Sequence, residues 1–195
     1  MHLRPVVRIA ILASGGGSNA QRLIEHFRGS AVAGVVLVAG DRPQAGVFAR
    51  AWDLGVPAYR FTAVQLRDGT LLRELQAQKV DLVVLAGFLR LVPVELLRAF
   101  PDRVLNIHPA LLPRHGGKGM WGHHVHAAVL AAGDNESGIT IHRVNERYDE
   151  GEHLFQARCP VLPTDTPGTL AARVLALEHA HYPPVVERVA LTLGR

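Results

Sequence analysis

The sequence predicts an α/β fold: a mostly parallel, doubly wound (Rossmann-like) sheet with an antiparallel C-terminal portion and a long C-terminal helix. Nearly continuous apolar runs, such as residues 6–13 and 82–86, are typical of parallel strands that are buried on both faces. Between such runs, apolar residues recur with the spacing of helices. Residues 139–144 and 153–161 have the composition of two strands joined by a polar loop, which is typical of an antiparallel hairpin.

In the N-terminal half, each apolar run is followed by a turn and a helical pattern. The predicted elements are, in order, a strand at 6–13, a glycine loop at 14–19, a helix at 20–27, a strand at 32–38, a turn at 41–43, a helix at 45–54, an edge strand at 56–60, a helix at 71–78, a strand at 82–86, a helix at 93–100 and a strand at 104–108. Pro57 predicts the edge position of the short strand, because proline cannot donate to a neighbouring strand.

In the C-terminal half the pattern changes. The predicted elements are a glycine-rich loop at 112–120, a helix at 121–132, the strand at 139–144, a polar loop at 145–151, the strand at 153–161 and a long helix through His181. Thr166 is the expected N-cap of the long helix and Pro167 its first residue. Pro183 and Pro184 are expected to break or kink the helix, with a short helix following to Leu193.

The composition is that of one domain, expected to span residues 1–195 in two halves of about 6–108 and about 109–195. A hydrophobic fraction of 48% is ample for a core. The single cysteine, Cys159, excludes a disulfide framework and favours a cytoplasmic protein in which this thiol serves packing.

The net charge of +4 comes from dispersed arginines, so it favours small anionic ligands over nucleic acid. No apolar run approaches the roughly 18 residues of a membrane span, and the N-terminus lacks the layout of a signal peptide. We therefore expect neither a nucleic-acid partner nor a membrane partner.

The glycine loop at residues 14–19 is a candidate anion site. It joins a buried strand to a helix, and the free N–H groups of a helix start favour phosphate. Ser18 and Asn19 are candidate N-caps. The loop lacks the spacing of a dinucleotide fingerprint and the Lys-Ser/Thr of a P-loop, so a phosphomonoester is favoured. The alternative is a flexible turn without a ligand.

Asn106 and His108 lie two residues apart at the end of a predicted strand, which Pro109 terminates. Both therefore face one side of the sheet at its carboxyl edge, where ligands bind in open α/β sheets. An amide can stabilise an oxyanion, and an imidazole can carry a proton.

Asp149, in the polar loop, is the carboxylate expected to raise the pKa of His108. Arg90 follows another strand and could bind a substrate carboxylate. The alternatives are a solvent-facing strand end for Asn106 and His108, a turn-forming role for Asp149 and a solvated arginine over a helix start for Arg90.

Four histidines crowd residues 115–126, which raises the question of zinc. They are His115, His123, His124 and His126. No carboxylate or cysteine in the segment completes a familiar ligand spacing, so we expect no metal site and assign these side chains to the surface or to a ligand cavity.

Several motifs, taken in order, resemble the phosphoribosylglycinamide formyltransferase family, the folate-dependent formyltransferases of purine synthesis. They are residues 14–19, 85–90 (Leu-Ala-Gly-Phe-Leu-Arg), 106–113 (Asn-Ile-His-Pro-Ala-Leu-Leu-Pro), 149–151 with Gln156, and 178–183. The match spans nearly the whole chain, and the Gly-Ser-Asn loop is the part that separates this family from other 10-formyltetrahydrofolate enzymes.

The resemblance implies a role for each motif, with 10-formyltetrahydrofolate as cosubstrate, glycinamide ribonucleotide as substrate, no metal, and a monomer or homodimer. Asn106, His108 and Asp149 are the implied catalytic residues. The implied phosphoribosyl-binding residues are Gly17, Ser18 and Asn19, which would hold the phosphate, and Glu178, which would bind the ribose hydroxyls. The implied folate-binding residues are Arg67, Leu89, Arg90, Leu91, Val92, Asn106, Asn145, Glu146, Arg147, Tyr148 and Asp149.

The chain departs from the family pattern in three places. Residues 115–122 replace a shorter Pro-Gly turn, so contacts near the substrate amine are expected to differ. Residues 150–152 stand where Gly-Gly-Pro is frequent, which affects the rigidity of the loop beside Asp149. Leu175 occupies a position that is often polar, so that phosphoribosyl contact is expected to be absent or replaced.

Two other functions remain as alternatives. Formyltetrahydrofolate hydrolase and methionyl-tRNA formyltransferase share the strand motif, but they need an extra domain for which 195 residues leave little room. A phosphosugar-binding module without chemistry would use the glycine loop but would have no need of Asn106, His108 and Asp149.

Overall fold

The computed structural model describes residues 6–194. It contains seven strands, which are β1 (Val7–Ala13), β2 (Ala33–Gly40), β3 (Ala58–Arg60), β4 (Leu82–Leu85), β5 (Val104–His108), β6 (Glu136–Arg143) and β7 (His153–Pro160). Its helices are α1 (Ser18–Phe27), α2 (Val47–Asp53), α3 (Ala63–Arg67), α4 (Thr70–Ala77), α5 (Val94–Ala99), α6 (His123–Ala131) and α7 (Pro167–Leu193).

The strands form one sheet in the order β3-β2-β1-β4-β5-β6-β7. The first five strands pair in parallel, whereas β6 and β7 are antiparallel additions. This confirms the predicted fold class, the hairpin and the edge position of β3. The chain moves outward from β1 to β2 and β3 and then returns to the other side of β1 as β4. The gap between the carboxyl ends of β1 and β4 is therefore the topological switch point, where α/β sheets bind ligands.

Helices cover both faces of the sheet, and β1 shows how the sequence specifies them. Ile9 and Ile11 are fully buried against one hydrophobic cluster, and Ala10 and Leu12 are fully buried against the other. The first cluster includes residues of α1, α2, α6 and α7, and the second includes residues of α3, α4 and α5. Burial on both faces is the reason why β1 lacks the polar alternation of a half-exposed strand.

Two parts of the fold differ from the prediction. The short helix α3 was not expected; Thr62 and Gln65 form a capping box at its start. The C-terminal helix α7 continues through Pro183 and Pro184 to Leu193, so the expected break is wrong. The two prolines remove only two intrahelical hydrogen bonds, while Tyr182, Val185 and Val186 on either side are buried in the core and hold the helix in place.

The boundaries of the other elements agree with the prediction to within a few residues, and β5 agrees at both ends. The largest shift is at β6, which begins at Glu136 rather than at Ile139. Helix α6 begins at His123 rather than at Trp121, because Gly122 is in a positive-φ conformation. Within residues 6–194, no helix combines the length and hydropathy that crossing a bilayer requires.

A candidate active site at the carboxyl ends of the strands

A cavity of about 580 Å³ lies at the carboxyl ends of β4 and β5, next to the topological switch point between β1 and β4. It is walled by the loops that follow these strands, by the start of α1, by the 145–151 loop and by α7. The residues of the sequence-based site that line it are Asn19, Leu89, Arg90, Leu91, Val92, Asn106, His108, Arg147, Tyr148, Asp149 and Glu178.

Five residues of the predicted site are not among the lining residues. They are Gly17, Ser18, Arg67, Asn145 and Glu146. Gly17 and Ser18 directly precede Asn19 at the start of α1. Arg67 is the last residue of α3 and is absent from the cavity lining, so the structure does not bring this side chain to the cavity.

Asn106 lies opposite His142 in the β5–β6 ladder, on the face that lines the cavity. Its neighbours Leu105 and Ile107 point into the hydrophobic core, so the expected alternation of β5 is confirmed. The Asn106 Nδ2 atom is 3.1 Å from His142 Nε2 and 3.5 Å from Asp149 Oδ1. The amide is thus held between a histidine and a carboxylate.

His108 is 3% exposed and lies between two acceptors. Its Nε2 is 2.8 Å from the carbonyl oxygen of His115, and its Nδ1 is 3.5 Å from Asp149 Oδ2. Burial lowers the pKa of His108, while Asp149 and the His115 carbonyl act in the opposite direction. Asp149 does raise the pKa, as expected, but the net shift is downward because burial is the largest cause.

Asp149 contacts four of the surrounding groups, which are Asn106, His108, His142 and the Gly117 N–H. Burial alone would raise the pKa of Asp149, but His142, His108 and the Gly117 N–H lower it below its usual range. The Gly117 N–H donates to Asp149 Oδ2 at 2.9 Å. Asp149 has φ +58°, an uncommon conformation for a residue with a side chain. The carboxylate is therefore ionised and held by its neighbours.

His142 is a member of the site that the sequence analysis missed. Its side chain is 2% exposed, and its Nδ1 donates to the Arg143 carbonyl oxygen at 2.8 Å. In the neutral ring this leaves Nε2 as an acceptor for the Asn106 amide. The available signal was the alternation of β6, because Thr140 and His142 are polar residues on the face opposite to Ile139 and Ile141.

The glycine loop reaches the cavity at Asn19, and its capping differs from the prediction. The N-cap of α1 is Gly17 at φ +79°, without a side-chain cap, and Ser18 is the first helical residue. A Cβ at Gly17 would lie 2.6 Å from Val47, so the loop needs glycine at this position. Without a capping side chain, the first N–H groups of α1 stay available to an anion.

Asn19 and Glu178 are in direct contact in the lining of the cavity. Its Nδ2 donates to Glu178 Oε2 at 2.5 Å, which joins α1 to α7 over 159 residues of sequence. Glu178 is 8% exposed, and burial raises its pKa to about 7 although the Asn19 hydrogen bond lowers it. The Oδ1 atom of Asn19 is buried with no partner among the described residues. These two side chains form a polar patch that a ligand hydroxyl could complete.

Arg90 lies at the rim of the cavity in an ion pair. Its Nε is 2.5 Å from Asp41 Oδ2, and Ser14 Oγ donates to Asp41 Oδ1 at 2.6 Å. Ser14 Oγ also accepts from the backbone N–H of Leu89 at 3.2 Å. Arg90 is thus linked to the glycine loop instead of standing alone in solvent.

The remaining expectations concern metals and the departures from the family pattern. In residues 6–194 no group of three or more histidine, cysteine or acidic side chains is arranged to hold a metal ion. His126 is buried and lines the cavity, which agrees with a ligand-lining role. Leu175 also lines the cavity, so no polar contact is available there. Gly151 is required, because a Cβ would lie 1.7 Å from the Arg143 carbonyl oxygen.

Comparisons with known proteins show the family to which the chain belongs. The family model described as formyl transferase matches residues 7–186. The chain is 45% identical to the chloroplastic phosphoribosylglycinamide formyltransferase of Arabidopsis thaliana over 92% of its own length and 64% of the relative's length. It is 34% identical to the Escherichia coli phosphoribosylglycinamide formyltransferase over 92% of its own length and 85% of the relative's length.

Solved structures give the same picture. Glycinamide ribonucleotide transformylase 1 of Symbiobacterium toebii superposes with a TM-score of 0.89 at 38% identity, covering 96% of this chain and 89% of that one. The phosphoribosylglycinamide formyltransferase of Brucella melitensis gives a TM-score of 0.86 at 38% identity, covering 95% and 96% of the two chains.

Proposed function

Given that the chain belongs to the phosphoribosylglycinamide formyltransferases of the formyl transferase family, we propose that it transfers the formyl group of 10-formyltetrahydrofolate to the amine of glycinamide ribonucleotide. The products are N-formylglycinamide ribonucleotide and tetrahydrofolate, in de novo purine (IMP) biosynthesis. The observation that carries the proposal is the meeting of Asn106, His108 and Asp149 with Asn19 and Glu178 in one cavity. A binding module would need only the last two residues.

The cavity fits the two substrates at different ends. At the α1 end, the free N–H groups following Gly17 suit a phosphate, and Asn19 and Glu178 suit ribose hydroxyls. At the other end, the apolar side chains of Leu89, Leu91 and Val92 line the wall and suit the flat ring of a folate. Asn106 and His108 lie on β5 between the two ends, where the formyl carbon would meet the amine.

Asn106 is the residue that stabilises the charge developing on the formyl oxygen. When the amine attacks the formyl carbon, a C–N bond forms and the oxygen becomes negative. The Asn106 Nδ2 contact to Asp149 is long, at 3.5 Å, so this N–H can be redirected to the oxyanion. The contact to His142 is 3.1 Å and keeps the amide in place during that change.

His108 is the residue that moves the proton. The attacking amine must lose one proton, and the departing N10 must gain one, when the C–N10 bond breaks. The downward shift in the pKa of His108, caused by burial, makes its imidazolium a better acid near neutral pH. Asp149 balances that positive charge from the Nδ1 side.

Steady-state turnover of 10-formyltetrahydrofolate with glycinamide ribonucleotide tests the proposal. For the Asn106→Ala variant we expect kcat to fall by about 10²–10³, as for a lost oxyanion donor. For His108→Ala we expect a loss of at least ~10². Glu95→Gln, an exposed change in α5, is the control and should turn over like the parent.

Two results would contradict the proposal. One is formyl transfer by His108→Ala at the parental rate. The other is glycinamide ribonucleotide binding by the parent without any formyl transfer, which would indicate a phosphosugar-binding module.

A further inference from the structure

The segment 114–117 contacts His108 and Asp149, two of the three proposed catalytic residues, and Asp134, which lies outside the cavity lining, holds the segment in place. Asp134 Oδ2 is 2.7 Å from His115 Nε2, and Asp134 Oδ1 is 2.5 Å from Arg114 Nη2. The Asp134 side chain is 9% exposed, and its hydrogen bond from His115 lowers its pKa below the usual range. Asp134 therefore holds the ring of His115 in place. The carbonyl oxygen of His115 lies 2.8 Å from His108 Nε2.

The backbone of His115 needs this support. Its φ of +55° lies in the left-handed region, which is strained for a residue with a side chain unless its surroundings hold it. Gly116 follows with no room for a Cβ, which would lie 2.5 Å from Leu112 Cδ2. Gly117 then donates its N–H to Asp149 Oδ2. Asp134 thus anchors a turn that delivers a carbonyl to His108 and an N–H to Asp149.

The carbonyl has a chemical consequence for His108. A neutral imidazole has one N–H and can satisfy only one acceptor, whereas the imidazolium has two. His108 has an acceptor on each side, the His115 carbonyl at Nε2 and Asp149 at Nδ1. The carbonyl also selects the neutral tautomer that carries its proton on Nε2. The other titratable groups that affect the ring are His142 and His115 itself, and His126 is coupled to it in turn.

We propose that Asp134 and the His115 ring form a latch that positions the His115 carbonyl and thereby holds His108 in its Nε2–H and imidazolium forms. Neither residue contacts the reacting atoms, so both are positioning residues. Only the kinetic part of this inference rests on the proposed function. The state of the His108 ring can be measured without turnover.

The experiment is ¹⁵N–¹H NMR of the histidine rings of the full chain as a function of pH, with resonances assigned through His108→Ala. In Asp134→Ala we expect the pKa of His108 to fall by about half a unit to one unit, as for one weakened hydrogen bond. We also expect its ¹⁵N shifts to lose the pattern of an Nε2–H tautomer. At pH 7.5 we expect kcat to fall by about 3- to 10-fold with both KM values within twofold, because the imidazolium population follows the pKa.

A second variant and a matched control keep the test decisive. His115→Gly removes the ring while allowing φ +55°, so it should reproduce the effect, and the double variant should add nothing to either change. Glu136→Gln removes a nearby exposed carboxylate that pairs with Arg158 and should behave like the parent. Asp134→Asn keeps an acceptor for His115 and should restore part of the pKa.

The latch is overturned if the His108 titration and tautomer in folded Asp134→Ala and His115→Gly match those in Glu136→Gln. It is also overturned if kcat falls while the His108 titration stays unchanged, because the loss would then come from general loosening of the loop. Absence of formyl transfer in the parent, with the NMR shift present, would contradict the proposed function and leave the latch standing.

Discussion

At the scale of single residues, Glu178 shows how burial sets the chemistry of a side chain. A carboxyl group at 8% exposure with one hydrogen bond from Asn19 loses most of its hydration, which destabilises its ionised form. Its pKa is accordingly raised from 4.5 to about 7. The group therefore changes charge near neutral pH, at the position where we expect the ribose of the substrate.

This shift makes stability depend on pH. Between pH 4.5 and 7 the folded state holds a proton that the unfolded chain has released, so Glu178 lowers the free energy of unfolding as pH rises. A neutral Glu178→Gln side chain avoids that loss. We expect the variant to gain stability relative to the parent between pH 4.5 and pH 8, by about 3 kcal/mol at most. Urea unfolding at the two pH values measures this difference.

Glu95→Gln provides the comparison, because Glu95 is exposed on α5. Its stability relative to the parent should change little over the same interval. Equal pH dependence in Glu178→Gln and the parent would show that Glu178 is ionised in the folded protein at a normal pKa.

At the scale of secondary-structure elements, helix α7 supports the strands on which we place the catalytic residues. Tyr182 lies in this helix, fully buried, just before its two prolines. Its hydroxyl group donates to the carbonyl oxygen of Leu85 at 2.8 Å and lies 3.4 Å from that of Leu105. These carbonyls belong to β4 and β5, directly below the cavity, so α7 braces the sheet where Asn106 and His108 project.

Removing that hydroxyl group should weaken the brace. For Tyr182→Phe we expect a loss of about 1–3 kcal/mol in the free energy of unfolding, because the Leu85 carbonyl stays buried without this donor. In a chain of this length the loss corresponds to a fall of about 2–10 °C in Tm, measurable by calorimetry.

Tyr59→Phe is a suitable control, since the Tyr59 hydroxyl group in edge strand β3 has no hydrogen bond to any residue in the range 6–194. Its Tm should stay within about 1 °C of the parent, as for most changes at the protein surface. An unchanged Tm in Tyr182→Phe would mean that packing alone holds α7 on the sheet.

At the scale of the whole molecule, the cavity joins segments that lie far apart in sequence. Asn19 and Glu178 are 159 residues apart, and Asn106 and Asp149 are 43 residues apart. The site therefore exists only in the folded chain, and a ligand that binds it stabilises the fold by mass action.

Glycinamide ribonucleotide at about 100 times its Kd should stabilise the folded chain by about 2.7 kcal/mol. For a domain of this size we expect Tm to rise by about 5–10 °C. His108→Ala should keep this rise, because we place His108 in proton transfer and not in phosphoribosyl binding. Asn19→Ala should lose most of it. A thermal scan in which Asn19→Ala and the parent gain equally would place the phosphoribosyl group elsewhere.

The sequence by itself determined the fold class and the bounds of β5, the strand that carries Asn106 and His108. The apolar runs predicted which strands are buried on both faces, and Pro109 fixed the end of β5 at His108. These are local properties, since side-chain alternation and the geometry of proline act within a few residues. The resemblance to one family added Glu178, which no local pattern singles out. The expected cytoplasmic location and the monomer or homodimer state stay predictions.

The tertiary structure decided the partners and the charges. His142 entered the site because antiparallel pairing places it opposite Asn106, and Asp134 reached His115 from 19 residues away. Burial outweighed the opposing effect of Asp149 on the pKa of His108. Burial of the residues around Pro183 and Pro184 likewise outweighed the hydrogen bonds that these prolines remove from α7. Burial and long-range contact are sums over the whole folded chain, so a pattern that extends over a few neighbouring residues cannot supply them.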